Sequence, residues 1–326
     1  MKFHLLPFVQ LASLLLPSQA QPTWQSLAKA STVFQLDHNG TWFENLATRS
    51  TGDILATRLD SPELWLINPF TRQGRSLVTV PGVLSTIGIT EHRANVFVFG
   101  AGNLTVNPMG LEPGSMKLFQ LDLNQEPPVT SLITTMPEAS LINGITPWSK
   151  TEVLVSDINL GVVYKVDVST GTSATVLSGS DYAGINGIRV QNGFLYYAST
   201  TSQTFFRVPV DDNAAPTGAV EAIATGISMD DFALTPDGTA YIATMGLNQI
   251  AQVDPDGRTT TVAGSVNSLD VAGGTSARFG STRKDRLVLY VTTNGGMPTP
   301  VNGTIVEPAK IVAVILKGRN ASSGNK

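Results

Sequence analysis

The chain repeats one phrase: a polar residue, a short apolar run, about eight to ten residues holding a turn, then a second apolar run. It reads Glu44-Asn45-Leu46-Ala47 leading to Ile54-Leu55-Ala56-Thr57, and Asn143-Gly144-Ile145-Thr146 leading to Val153-Leu154-Val155-Ser156. It recurs as Asn186-Gly187-Ile188-Arg189 leading to Leu195-Tyr196-Tyr197, and as Asp231-Phe232-Ala233-Leu234 leading to Tyr241-Ile242-Ala243-Thr244. Consecutive copies lie about 43 to 46 residues apart, the spacing of a β-propeller blade. Radial repetition brings equivalent positions of successive blades together around a central axis. The phrase therefore predicts that Glu44, Asn143, Asn186 and Asp231 converge there.

Turn signals recur at strand spacing, and helix signals are nearly absent after residue 20. Thr51-Gly52-Asp53, Gln191-Asn192-Gly193 and Pro236-Asp237-Gly238 each separate two apolar runs and read as hairpins. A second series, 166–171 and Val253-Asp254-Pro255-Asp256-Gly257, reads as the outer hairpin of a blade. Together they predict an all-β, six-bladed propeller with four antiparallel strands per blade. Blade one begins at Glu44, blade two near Thr86-Ile87-Gly88-Ile89, blades three to five at the later phrases, and blade six near Ser276-Ala277-Arg278-Phe279-Gly280. Val33-Phe34-Gln35-Leu36 has no partner of its own, so it is expected to pair with the last blade and close the ring, removing an exposed sheet edge. An insert from Gly102 to Ser115 lies within blade two; it either covers one end of the ring or forms a plain surface excursion.

The first twenty residues carry Lys2, an apolar stretch from Leu5 to Leu16, and Ser18-Gln19-Ala20 where a signal peptidase would cut. This predicts a signal peptide over 1–20, a single propeller domain over 21–326, and a protein of the secretory pathway, secreted or vesicular. Sequons at Asn39, Asn103, Asn302 and Asn320 fit that route as glycosylation candidates. With no cysteine, stability must come from the core alone.

Loss of Lys2 would leave 20 basic residues against 25 acidic ones, moving the net charge from −4 to −5. No basic run or basic-aromatic stripe is present, which argues against nucleic acid as a partner. No later stretch is long and apolar enough for a membrane span, and a closed ring has no need of a partner chain, so a monomer is expected. Beyond the leader the histidines are His38 and His92, both expected at the surface, so Ser-His-Asp or Cys-His catalysis has no ready base. Zinc spacing, a phosphate-cradling glycine loop and a nucleophile elbow are all missing.

The Asn-Gly-Ile phrases, Pro236-Asp237-Gly238 and Thr275-Ser276-Ala277-Arg278-Phe279-Gly280 resemble the gluconolactonase and regucalcin superfamily of six-bladed propellers. The resemblance implies that Glu44, Asn143, Asn186 and Asp231 hold one divalent cation, Ca²⁺ or similar, on the axis; two carboxylates and two amide oxygens suit a hard ion. The alternative is that these groups simply hydrogen-bond one another. Two departures stand out. Leu141 occupies the place of a sugar-holding Arg, and Asn45-Leu46 replaces a Gly-Pro. Ile87, Leu141, Trp148, Tyr182, Phe232, Met245 and Met297 are candidates for an apolar mouth, better suited to small apolar or aromatic substrates than to a sugar lactone.

The phrases Thr41-Trp42-Phe43-Glu44-Asn45-Leu46-Ala47 and Ser61-Pro62-Glu63-Leu64-Trp65 look like a fungal secreted subset of that superfamily. This subset includes hetero-Diels-Alderases that join a tropolone-derived quinone methide to a sesquiterpene such as humulene. The resemblance implies such a pericyclase, needing no cofactor, with Asp231 or Glu44 as acid or base and Asn143 and Asn186 orienting the tropolone oxygens. Leu141, Trp148, Tyr182, Phe232 and Met245 would then hold the terpene. The alternatives are a metal-dependent lactonase and a non-catalytic small-molecule-binding propeller.

Overall fold

The computed structural model describes residues 28–316, so the leader and Asn320 lie outside it. Six four-stranded antiparallel sheets make up the ring. Blade one comprises Phe43–Thr48, Ile54–Arg58, Glu63–Asn68 and Gln73–Thr79. Blade two comprises Ser85–Arg93, Val96–Gly102, Lys117–Asp122 and Val129–Thr135. Blade three comprises Ile142–Pro147, Glu152–Asp157, Val162–Asp167 and Ser173–Ser178, and blade four Ile185–Gln191, Phe194–Ser199, Thr204–Pro209 and Glu221–Thr225. Blade five comprises Phe232–Leu234, Ala240–Thr244, Gln249–Val253 and Thr259–Gly264. Blade six takes Gly274–Phe279, Val288–Thr293 and Lys310–Ile315 from the end of the chain and Lys29–Gln35 from its beginning.

The closing strand pairs from Lys29 opposite Ile315 to Gln35 opposite Lys310. Its Phe34 ring sits 5.5 Å from Trp65 and 6.5 Å from Phe43, tying the seam to blade one. Second strands are sandwiched between blades and read as unbroken apolar runs; Ile54–Arg58 and Val96–Gly102 are buried throughout. Outer strands, with one wet face, alternate. Among the described residues no helix is long and apolar enough to cross a membrane.

What places the site is a break in pairing shared by the inner strands. Phe43 pairs with Arg58 and the next regular pair is Leu46 with Ala56; Ile142 pairs with Asp157 and the next is Ile145 with Val155; Ile185 pairs with Ser199 and the next is Ile188 with Tyr197. Two residues are left in each gap: Glu44-Asn45, Asn143-Gly144 and Asn186-Gly187. Such a bulge re-aims side chains, here toward the axis. Blade two places Ile87-Gly88 in the same gap.

Hydroxyls of the second strands bind these gaps to their neighbours. Gly144 N donates to Ser156 Oγ at 2.8 Å, and Ser156 Oγ donates to the Asn186 carbonyl of the next blade at 2.5 Å. Thr292 Oγ1 reaches the Glu44 carbonyl at 3.1 Å, and Thr57 Oγ1 donates to the Ile87 carbonyl. The glycines permit this proximity: a Cβ on Gly88 would lie 1.8 Å from the Asn143 carbonyl oxygen, and one on Gly144 2.4 Å from that of Asn186.

Candidate functional site

Glu44, Asn143 and Asn186 converge at one end of the axis. Asn143 Nδ2 donates to Glu44 Oε1 at 3.0 Å, while Trp42 Nε1 donates to Glu44 Oε2 at 2.5 Å. Asn186 Nδ2 donates to Asp230 Oδ1 at 2.8 Å and to Thr200 Oγ1 at 3.1 Å. Asp230 was not among the sequence candidates. Its register shows why it belongs: in blade five the first regular pair is Phe232 with Ile242, which sets Asp230, two residues earlier, level with Glu44, Asn143 and Asn186.

Asp231 takes the second place of the gap, the one held by Gly144 and Gly187. Its carboxylate accepts from Arg189 Nη2 at 2.9 Å, Ser276 Oγ at 3.1 Å and its neighbour Phe232 N at 2.7 Å. Ser276 Oγ also lies 2.9 Å from Asn45 Oδ1, so blades five, six and one are wired together by second-place side chains where blades two to four use glycine. Asp231 and Asn45 are each 1% exposed, whereas Glu44, Asn143, Asn186 and Asp230 are 4–5% exposed. The first-place residues form the floor that a ligand could reach; Asp231 lies behind it.

Electrostatics sharpen the division. Burial pushes the Glu44 carboxyl up to about 7, against the hydrogen bonds from Asn143 and Trp42, and the charge of Asp231 adds to the rise. Burial also raises Asp230 well above the ordinary carboxyl value, with Glu44 and Asp231 repelling its charge and the Asn186 amide opposing them. Asn186 Oδ1 is buried and has no hydrogen-bond partner. A buried acceptor without a donor costs about 1–3 kcal/mol, so the floor is one partner short.

Apolar side chains cover this floor. Trp42, Ile87 and Leu104 share one cluster with Leu141, Met245 and Met297. Met245 and Met297 come from blades five and six, and they meet side chains of blades one to three across the axis. Leu141 is held by Asp157, whose carboxylate accepts from Ser140 N at 2.6 Å and Leu141 N at 3.2 Å. The blade-two insert forms a hairpin of Leu104–Val106 and Met109–Leu111, and Leu104, Val106 and Leu111 join the same cluster. It contributes to the mouth rather than standing off as a surface excursion.

Three aromatic candidates are placed elsewhere. Trp148 lies in the turn after Ile142–Pro147, at the far end of the strand whose near end carries Asn143. Five residues of strand span roughly 16 Å. Tyr182 packs 5.7 Å from Tyr197 between blades three and four. Phe232 is fully buried between blades four and five, edge-on to Phe205 at 4.8 Å. It stands two residues beyond Asp230, in the regularly paired part of the strand, with its ring packed between the blades. His92 ends the inner strand of blade two, far from the floor and partly buried rather than at the surface; His38 is exposed. Asn39 and Asn302 lie exposed, and Asn103 Nδ2 donates to Glu112 Oε2 at 2.6 Å.

The floor offers Glu44 and Asp230 carboxyls and the amide oxygens of Asn143 and Asn186, a donor set that fits a hard divalent cation, and the unpartnered Asn186 Oδ1 fits the same role. Among the described residues no group of three or more His, Cys, Asp or Glu is arranged to hold a metal, so such an ion would depend on the amides.

No family model matches the chain. A protein of Phoma sp, provisionally named a hetero-Diels-Alderase, is 28% identical over 298 residues, covering 78% of this chain and 84% of its own length. One of Sarocladium schorii with the same provisional name is 28% identical over 313 residues, covering 78% and 75%. Among solved structures, a calcium-binding regucalcin of Agrobacterium tumefaciens superposes with a TM-score of 0.63 at 15% identity over 89% of this chain and 96% of its own. A gluconolactonase of Xanthomonas campestris gives 0.61 at 11% identity over 88% and 90%. The chain is a six-bladed β-propeller of the regucalcin and gluconolactonase fold, similar in sequence to proteins named as hetero-Diels-Alderases.

Proposed function

We propose that the protein is a hetero-Diels-Alderase-type pericyclase, joining an electron-poor oxygen heterodiene of the quinone-methide class to an apolar alkene such as a humulene-type sesquiterpene. One observation carries the reading: a polar floor with a waiting acceptor, Asn186 Oδ1, lies beneath a mouth of Leu141, Met245, Met297 and Ile87. The names of the two sequence relatives support it.

The mouth removes the alkene from water and holds it over the heterodiene, which lowers the entropic part of the barrier. Asn143 and Asn186 orient the oxygens of the tropolone-type ring, and a donor hydroxyl on that ring satisfies Asn186 Oδ1. If the heterodiene arises in the site from an alcohol, a protonated Asp230 or Glu44 gives its proton to the departing hydroxyl. The C–O bond breaks, water leaves, and the ring hydroxyl loses its proton to a carboxylate of the pair, so the carboxyls end as they began. A hydrogen bond to the heterodiene oxygen then stabilises the charge that develops there during cycloaddition.

The floor's oxygen set favours a second reading, a metal-dependent lactonase in which Glu44, Asp230, Asn143 and Asn186 hold a divalent cation. When bound, that ion would polarise a lactone carbonyl and acidify water. Pure protein incubated with an alcohol precursor of the heterodiene and humulene decides between them. The pericyclase forms adduct faster than buffer, keeps doing so in chelator, and loses at least tenfold in rate with Asp230→Asn. Adduct rate and ratio equal to buffer, with lactone hydrolysis abolished by chelator and restored by Ca²⁺, would overturn it.

A further inference from the structure

The floor is covered in this structure. Glu44, Asn143, Asn186 and Asp230 are each 4–5% exposed and Asn186 Oδ1 is buried, so a ring-sized molecule reaches them only when part of the cover moves. Most of that cover is built into blades. Ile87 lies in the gap of an inner strand with its carbonyl bonded to Thr57, Leu141 N is held by Asp157, and Trp42 is fastened twice, through N to Asp60 Oδ1 at 2.9 Å and through Nε1 to Glu44. The blade-two hairpin is built differently. Its strands, Leu104–Val106 and Met109–Leu111, pair only with each other. Its base is closed by Glu112 N donating to the Asn103 carbonyl at 2.9 Å, Asn103 Nδ2 to Glu112 Oε2 at 2.6 Å and Ser115 Oγ to the Glu112 carbonyl at 2.6 Å. Beyond the base, Leu104, Val106 and Leu111 pack into the cluster that holds Trp42, Leu141, Met245 and Met297.

We propose that this hairpin is a lid: residues 104–111 swing on the closed base at Asn103 and Glu112 to admit an apolar reactant, then return so that Leu104, Val106 and Leu111 close on it. The inference rests on the floor and mouth being the ligand site of the proposed function. Self-contained pairing lets the hairpin move as one piece, since no ladder bond to a blade has to break. Apolar contact is non-directional and separates without stranding a polar group. Met109 at the tip is 61% exposed, so opening drags no further buried side chain with it. The packed face of the lid is hydrocarbon, so closure favours an alkene body and penalises a polar one, whose groups would be buried without partners.

Stopped-flow binding of 1-aminoanthracene, a neutral apolar fluorophore, tests the lid without turnover. In the wild type the observed rate should level off as probe is raised, because opening limits entry. Asn103 and Glu112 already face each other across the base, so a two-residue Asn-Gly turn can replace 104–111. In that variant the rate should rise in proportion to probe, and dissociation should quicken at least tenfold. Leu104→Ser combined with Leu111→Ser keeps the hairpin and loosens its grip, and should raise the plateau at least threefold. An unchanged circular dichroism spectrum verifies that both variants fold. A rate linear in probe for the wild type, equal kinetics in the wild type and both variants, or no binding by any of them would each overturn the lid. Adduct formation does not enter this readout, so a failure of the pericyclase reading and a failure of the lid are told apart.

Discussion

If Asp231 anchors the ring rather than meeting substrate, its worth should appear as stability coupled to Arg189. Arg189→Met leaves a carboxylate that is 1% exposed with two neutral donors, Ser276 Oγ and Phe232 N. Breaking a buried ion pair from one side costs about 3–5 kcal/mol, because the remaining charge is uncompensated. Asp231→Asn leaves the Arg189 guanidinium, with 11% of its side chain exposed, facing a neutral amide, at a cost of the same order. The double variant strands neither charge and should lose only about 2–4 kcal/mol against about 8 kcal/mol for the two single changes added, so the coupling energy is about 5 kcal/mol. For a ring of roughly 290 residues the unfolding entropy is about 0.6 kcal/mol per kelvin, so each single change lowers Tm by about 5–8 °C. Urea unfolding followed by tryptophan fluorescence measures all four corners of the cycle. Single changes that add to within about 0.5 kcal/mol would refute the coupling and return Asp231 to the reach of ligand.

Other expectations follow from the same geometry. Gly144→Ala drives a Cβ to 2.4 Å from the Asn186 carbonyl oxygen and 2.8 Å from Ile188 N, so it should cost about 1–3 kcal/mol or more, while Gly246→Ala, whose nearest contact is Ser228 Oγ at 3.5 Å, should cost little in the same denaturation assay. Below pH 4.5 Glu44 is protonated folded and unfolded alike; between 4.5 and about 7 the folded form keeps a proton the unfolded chain has released, so stability should fall as pH rises through that window, by up to about 3 kcal/mol. Melting in chelator across pH 4 to 8 should show that slope flattened in Glu44→Gln. Leu141→Arg, which returns a guanidinium to the mouth, should cut adduct formation more than tenfold, read by chromatography of the products, while Tm stays within a few degrees.

The fold was legible because a propeller writes its architecture into a period. The inner hairpins of blades one, four and five turn on glycine, so Gly52, Gly193 and Gly238 with φ of +92°, +77° and +87° are visible as turns, and each second strand needs apolar residues on both faces. Ring closure was legible by elimination, since Val33-Phe34-Gln35-Leu36 alone lacked a partner. The apolar mouth was only half legible. Leu141, Met245, Ile87 and Met297 sit near the starts of blades or in the loops beyond them, on the floor's side. Strand direction sends Trp148 to the other end, while Tyr182 and Phe232 pack between neighbouring blades.

The floor itself shows how a single residue of register changes a chemical assignment. Read by its polar-then-apolar pattern, Asp231-Phe232 matches Asn143-Gly144 and places Asp231 on the axis. Read instead from the first residue that pairs regularly, Phe232 matches Ile145, Ile188 and Leu46, and Asp230 becomes the axial group. A slip of one position exchanges the two faces of a strand, and here it exchanges a carboxyl on the ligand side for one bonded to Arg189 and Ser276. The signal was present: Asp230-Asp231 is acidic at both places of the gap, so the apolar residue behind it, not the charge, had to set the alignment. Because a bulge is two residues wide, the ring holds two concentric sets of polar side chains. Glu44, Asn143, Asn186 and Asp230 face the axis and are free to meet a ligand, while Asn45, Asp231 and Ser276 fasten the blades behind them. That division lets the inner carboxyls carry an unfavourable, proton-holding environment without loosening the ring, since the outer set bears the attachment between blades.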